Sequence, residues 1–211
     1  MKVLLINGSP HREGCTYTAL CEVSSSLNQN GIDTDVFWIG NPPFSGCIAC
    51  HQCDRLHHCV MQDTVNDFLD LAGDYDGFVF GTPVYFAAAA GEITSFLDRA
   101  FYADLNGGAN RFYLKPAAAV ISARRAGTTA TWDQINKYFG LMQMPIITSR
   151  YWNMVHGNRP EEVALDAEGL QTMRNIGHNL AWMLKCLQAG KEAGLSLPKT
   201  ERGSRTNFIR P

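Results

Sequence analysis

Val3-Leu4-Leu5-Ile6-Asn7-Gly8-Ser9-Pro10-His11-Arg12-Glu13-Gly14-Cys15-Thr16 is the stretch on which the fold turns. Residues 3–7 are an apolar run of the kind that forms a buried strand. Hydroxyl, glycine and basic residues follow. A helical pattern then covers 15–29, with Ala19, Leu20, Val23 and Leu27 close to the i, i+3, i+4, i+7 spacing. A strand, a turn and a helix N-terminus in that order make an anion site. The helix dipole and its unsatisfied N–H groups point at whatever sits in the turn. A phosphate needs several donors in a small concave space. Ser9 and Thr16 offer hydroxyls, Arg12 and His11 offer cationic donors, and Gly14 lets the backbone come close. The spacing is not that of a P-loop, and it is not Gly-x-Gly-x-x-Gly, which disfavours a dinucleotide site of the Rossmann type.

Working outward, Gly31 stands where a helix would be capped, and 33–38 reads as a second strand. Residues 40–46 are a Pro/Gly/Ser loop. Asp63 or Thr64 caps a helix running to about Ala72. Residues 77–81 read as strand three, 82–91 as a loop, and 92–102 as a helix with Ile93, Phe96 and Leu97 on one face. A Gly/Asn loop covers 104–110. Residues 117–122 are a nearly continuous apolar strand, as expected of a strand covered on both faces. A helix over 131–142 precedes strand five at 145–148. A last helix over 165–189 carries Leu170, Met173, Ile176, Leu180, Met183, Leu184 and Leu187.

Strands alternate with helices, so the class is α/β with a parallel sheet and right-handed crossovers. Five strands suit the flavodoxin-like order 2-1-3-4-5, which places ligands at the carboxyl ends of strands one and three. One domain over 1–189 is followed by a polar tail over 190–211. The tail reads as a mobile terminus or as an arm lying on a partner subunit, the latter because of Phe208 and Ile209.

The chain has 211 residues, 45% of them hydrophobic and 18% charged, which is enough for a sizeable core. Its net charge of −2 disfavours a nucleic-acid partner. No apolar stretch is long enough to span a membrane, and no signal peptide is legible, so the expected location is the cytoplasm. The odd count of seven cysteines, in a reducing compartment, argues against a disulfide framework.

Two further loops leave strand ends on the same side as the first turn. Gly81-Thr82-Pro83-Val84-Tyr85-Phe86 puts a proline and two aromatics where an ordinary loop would be polar. A flat ring system would use this: backbone groups bond the ring edge while Tyr85 or Phe86 packs near its face. The bland alternative is that both rings fill core or a subunit contact. Ser122-Ala123-Arg124-Arg125-Ala126-Gly127 follows strand four. Its arginines could border a ring or draw in phosphates, or simply be solvated.

Gly-Ser-Pro-His-Arg-x-Gly-x-Thr at 8–16, Thr-Pro-Val-Tyr-Phe at 82–86 and Gly-Glu-Ile-Thr-Ser-Phe-Leu-Asp-Arg at 91–99 together resemble the NADPH-dependent FMN reductase family. The resemblance spans about residues 1–185. It implies non-covalent FMN at a dimer interface and hydride transfer from NAD(P)H to an acceptor. Ser9, His11 and Thr16 match the family's phosphate positions, with Arg12 and Cys15 in the same turn. Pro83, Val84, Tyr85 and Phe86 match its isoalloxazine loop, which Thr82 opens; Ser122, Arg124 and Gly127, in the loop after strand four, are candidates to border the flavin. The basic residue that usually follows Ser-Pro is His11 here. Cys15 stands where the family usually has Asn, and alanines follow Phe86 where relatives often carry Gly and Asn. Asp98-Arg99 reads as a helix ion pair or interface contact, and Asn153 and His156 as residues that could reach the flavin. No catalytic residue is assigned, because the flavin N5 takes the hydride itself.

Cys47, Cys50, Cys53 and Cys59 fall within thirteen residues. Four thiolates at this spacing suit a [4Fe–4S] cluster or a tetrahedral metal, and His51, His57 and His58 add a zinc alternative. Free or redox-active thiols remain open beside these. The spacing is similar to that of the iron-sulfur flavoproteins, a subgroup of the same fold. Cys21 and Cys186 are expected to be buried small hydrophobes. The leading expectation is an FMN-dependent oxidoreductase passing electrons from NAD(P)H to a quinone, flavin or other small acceptor, as a homodimer or dimer of dimers. The alternatives are an iron-sulfur flavoprotein carrying electrons between protein partners, and a non-enzymatic sensor built on the cysteine loop.

Overall fold

The computed structural model describes residues 1–43, 45–201, 204 and 206. Five parallel strands run in the order β2-β1-β3-β5-β6: β1 (Lys2–Asn7), β2 (Asp33–Trp38), β3 (Gly77–Tyr85), β5 (Ala117–Ala123) and β6 (Met154–His156). With the short antiparallel β4 (Ala88–Ala89) set aside, this is the expected 2-1-3-4-5 order.

Residue parity sorts the two faces of the sheet, because successive strand side chains point to opposite sides. Leu4, Ile6, Phe78, Phe80, Ala117, Ala119 and Ile121 face one core, under α3 (Thr64–Ala72), α4 (Gly91–Gly107) and α5 (Thr128–Leu141). Val3, Leu5, Val79, Ala118 and Val120 face the other, under α1 (Cys15–Gln29) and α7 (Ala167–Glu192); α2 (Cys53–Leu56) and α6 (Pro160–Val163) are single turns in the connections. The first core is aromatic. Phe68 and Phe112 stack at 5.7 Å, and Phe101 meets Phe112 edge-on at 4.8 Å. The small residues Ala117 and Ala119 make room for these rings. Each well-placed ring pair adds about 0.5–1.5 kcal/mol beyond its buried area.

Several expectations need correction. Strand five is not 145–148 but β6. Residues 145–147 pair only briefly with β5, through Ala117 N–H to the Pro145 carbonyl and Ile147 N–H to the Ala117 carbonyl. The chain then leaves the sheet and returns at Met154. Asn153, read as able to reach a ligand, is fully buried and donates to the Ile147 carbonyl at 3.2 Å, closing the neck of that excursion. The 82–91 loop is a continuation of β3 followed by a hairpin, because β-branched and aromatic residues there favour the pleated backbone. Cys21 and Cys186 are exposed rather than buried. Both lie off the buried stripes of their helices, Ala19-Leu20-Val23-Leu27 and Met173-Ile176-Leu180-Leu184.

The last helix extends to Glu192. Beyond it, Leu195 N–H bonds the Gly190 carbonyl, and the Tyr113 hydroxyl donates to the Pro198 carbonyl at 2.8 Å. The tail thus lies with Met1, Asp76 and Pro145 at the strands' amino ends, opposite the turn at 8–16. Phe208 and Ile209 lie outside the described residues. Among the described residues no helix is long and apolar enough to cross a membrane.

Candidate functional site: a nucleotide turn and a thiol cavity joined by one helix face

The turn after β1 is pressed against the end of β3. Gly8 N–H bonds the Gly81 carbonyl at 2.8 Å, and a Cβ on Gly8 would lie 2.8 Å from Ile93. Asn7 spans the turn: its amide donates to the Arg12 carbonyl at 2.9 Å and its oxygen accepts from Ser9 N–H at 3.1 Å. His11 N–H bonds the Ser9 hydroxyl oxygen, which leaves that hydroxyl's proton free to donate. Trp38, at the end of β2, donates its indole N–H to the Ser9 carbonyl at 2.8 Å, and Arg12 lies over its ring. Helix α1 begins behind Gly14 with no side-chain cap and no acidic residue in its first turn. Its orphan N–H groups and the exposed His11 and Arg12 make the turn fit for a phosphate.

Not every expected donor points outward. Thr16 and Ser122 are both buried, and their hydroxyls meet at 2.8 Å, tying α1 to β5. The Cys15 thiol donates to the Gly157 carbonyl, and burial pushes its pKa up. Thr82 accepts from Ala90 N–H and donates to the Pro83 carbonyl, which fixes the base of the hairpin. Gly127, at φ +91°, packs directly on Val84 and Ala87, so the loop after β5 abuts the hairpin. Arg124 is exposed there, with no hydrogen bond among the described residues. Phe86 and Ala87 form the hairpin tip in left-handed backbone, φ +50° and +59°, and the Phe86 ring is fully exposed. Tyr85 borders an open groove with Asn41, Pro42, Pro43, Glu92 and Ser95. Partial burial and then Glu92 push its phenol pKa up. His156 lies beside Asp166, to whose carboxylate its backbone N–H donates at 2.7 Å.

The four clustered cysteines line one cavity, together with His51, Met61, Arg99 and Tyr102. The segment carrying them packs onto α4 where Gly107 stands: a Cβ there would lie 2.9 Å from the His57 Cα. Ala49 and His51 have left-handed backbone, φ +51° and +56°, followed by Gln52 in the right-handed region. Such alternation turns backbone N–H groups toward a common point and suits an anionic guest such as a thiolate-bound cluster. His57 and His58 are engaged elsewhere, by the Gly107 carbonyl and by Asp70. Among the described residues, no three Cys, His, Asp or Glu side chains sit as ligands of a single ion. Burial, with a smaller contribution from Asp54, pushes the Cys53 thiol pKa up.

Asp98 and Arg99 do not pair with each other. Asp98 accepts from the Tyr138 hydroxyl at 2.6 Å. Arg99 turns inward to Asp63, at 2.7 and 2.8 Å. Burial alone would lower its pKa, but the bonds to Asp63 and Cys59 outweigh it and keep the guanidinium charged. Sequence reasoning missed Trp38, and it read Arg99 as a partner of Asp98 or an interface contact rather than as a lining residue of the thiol cavity. Helical spacing places Arg99 on the site's face though it does not name its partner: Glu92 and Ser95 line the groove, while Arg99, Tyr102 and Ala103 line the thiol cavity, all on one face of α4. At 1.5 Å per residue, Ser95 and Tyr102 are about 10 Å apart along the axis.

The family model described as NADPH-dependent FMN reductase matches residues 1–159. The chain belongs to the NADPH-dependent FMN reductase family. It is thereby a flavin-dependent oxidoreductase, and membership supports FMN as its flavin. Among its relatives, an iron-sulfur flavoprotein of Methanocaldococcus jannaschii is 29% identical over 193 residues, covering 89% of this chain and 100% of the relative. A second from the same organism is 26% identical, covering 88% and 98%. In fold, this member resembles RosB, solved with bound 8-demethyl-8-formylriboflavin-5'-phosphate. The TM-score is 0.67 at 17% identity, covering 100% of this chain and 94% of RosB. A flavodoxin from the domain Archaea gives a TM-score of 0.58 at 13% identity, covering 88% and 99%. At such identities the likeness is one of fold.

Proposed function

We propose that this protein takes electrons from NAD(P)H through FMN and passes them to a quinone, a flavin or another small acceptor, with a [4Fe–4S] cluster as a second centre. FMN supplies hydride acceptance when bound, and the cluster supplies single-electron transfer. The residues present fit both groups. The turn at 8–16 holds a phosphate with Ser9, Arg12, His11 and the first N–H groups of α1. The hairpin and the groove beside Tyr85 give a flat ring an edge and a face. Cys47, Cys50, Cys53 and Cys59 would hold the cluster, within a cradle shaped by Ala49 and His51.

The observation that carries this reading is the shared face of α4, which leads from the groove into the thiol cavity. A second reading, transfer of electrons to a protein partner, is favoured by the exposed Cys47 and Cys50, which bring the cavity to the surface. The exposed Phe86 and the apolar groove between α4 and α5 around Leu105 and Leu141 support association of two copies.

The test is anaerobic purification and reconstitution with FMN, iron and sulfide, followed by visible spectroscopy. A flavin spectrum bleached by NAD(P)H, with a broad shoulder and about four iron and four sulfide per chain, is expected. Retained flavin reduction without iron removes the second centre and leaves a reductase for small acceptors. Failure to take up FMN overturns the whole reading.

A further inference from the structure

The Arg99 side chain has no solvent exposure. A buried guanidinium with idle donors would be costly, so its bonds should account for all five N–H groups. They do. Nη1 donates to Asp63 at 2.7 Å and to the Ser45 carbonyl at 3.5 Å. Nη2 donates to Asp63 at 2.8 Å and to the Met61 carbonyl at 3.2 Å. The remaining donor, Nε, points at the Cys59 sulfur at 3.3 Å. Cys59 is also held through its backbone: its N–H bonds the Asn66 side-chain oxygen, and its carbonyl accepts from the Asn66 amide, both at 2.9 Å. Cys59 is therefore clamped at main chain and sulfur, whereas Cys47 and Cys50 sit on exposed, irregular backbone.

We propose that Arg99 is the positioning residue of the thiol centre: it fixes the Cys59 sulfur as a ligand and raises the reduction potential of the cluster held there. This rests on the cluster reading above. A cluster gaining one electron from the reduced flavin gains one negative charge. A hydrogen bond to a ligating sulfur, and a full positive charge beside it, stabilise that reduced form. Asp63 acts in the opposite sense. It anchors the guanidinium, and its own charge offsets part of the guanidinium's effect.

The test uses the reconstituted holoprotein and its Arg99→Gln, Arg99→Lys and Asp63→Asn variants, in anaerobic redox titrations with iron and sulfide counted in each. At the wild-type midpoint, Arg99→Gln should shift the oxidised-to-reduced ratio about tenfold toward oxidised, which is about 59 mV for one electron. Arg99→Lys should fall between, since one ammonium lacks the fork. Asp63→Asn should shift the ratio the other way, and asparagine still caps α3. The FMN content should stay the same throughout. Midpoints that do not move in fully loaded variants overturn the Arg99 assignment and leave the cluster reading standing. If Arg99→Gln does not fold, Arg99→Lys decides: a lowered midpoint in the fully loaded variant supports the assignment, and an unmoved one overturns it. Wild-type protein that takes up no iron and sulfide overturns both.

Discussion

A methyl group on Gly8 would lie 2.8 Å from Ile93 and 2.9 Å from the Gly81 carbonyl oxygen, so something must shift to admit it. Part of that contact is backbone, and the shift would move the Ser9 carbonyl and the start of the 8–16 turn proposed to hold the phosphate. Gly8→Ala should therefore cost about 1–3 kcal/mol of stability, as overpacking does. It should also weaken FMN binding about tenfold, equivalent to 1.4 kcal/mol. Denaturant unfolding of the apoprotein and a flavin fluorescence titration measure the two effects. Gly73→Ala, where a Cβ would meet nothing within 4 Å, should change neither. An unchanged Kd in Gly8→Ala would mean that the turn does not hold the phosphate. The turn residues were legible because their bonds are local, as in Asn7 to Arg12. Trp38 and Arg99 were not, because their partners lie 29 and 36 positions away. Nothing in composition or spacing pairs an indole with Ser9 or a guanidinium with Asp63.

Among the elements, long periodic ones were read closely: α1 over 15–29 and β2 over 33–38 stand where periodicity put them. The edge of the sheet was not. A three-residue strand, Met154–His156, has no room for a period, and its register comes from β5 alone. The hairpin between β3 and β4 was hidden for a different reason. A two-residue turn with both central residues at positive φ favours Asn-Gly, and this chain places Phe86-Ala87 there. Left-handed backbone costs an ordinary residue about 1–2 kcal/mol. Strain of this size, together with an exposed ring, belongs with sites that hold a ligand. The double variant Phe86→Asn/Ala87→Gly should relieve about 2–4 kcal/mol over the two residues, raising the Tm of the apoprotein by about 4–16 °C at the usual 2–4 °C per kcal/mol for this size. On the proposed flavin site, where the Phe86 ring packs near the flavin, FMN affinity should fall several-fold at the same time. Thermal unfolding and flavin titration of the same sample test both. A rise in Tm without a change in affinity would assign the Phe86 ring to a subunit contact alone.

On the scale of the molecule, the two ends of the sheet do different work. The carboxyl ends of β1, β3 and β5 carry the 8–16 turn, the hairpin and the 124–127 loop. The amino ends carry the tail, held by the Tyr113–Pro198 bond and a Thr200–Gln143 bond at 3.4 Å. FMN binds the folded state, so at 100 times Kd it should stabilise the protein by about 2.7 kcal/mol. That corresponds to a rise in Tm of about 5–11 °C. Ending the chain after Leu195 removes the two tail bonds and should lower apoprotein stability by about 1–3 kcal/mol, given 0.5–1.5 kcal/mol for each net hydrogen bond. The flavin-induced rise should be the same in the shortened and full-length proteins, because no described tail residue reaches the turn or the hairpin. Differential scanning fluorimetry with and without FMN makes the comparison. A smaller rise in the shortened protein would place part of the tail over the flavin, either its own or that of a second copy.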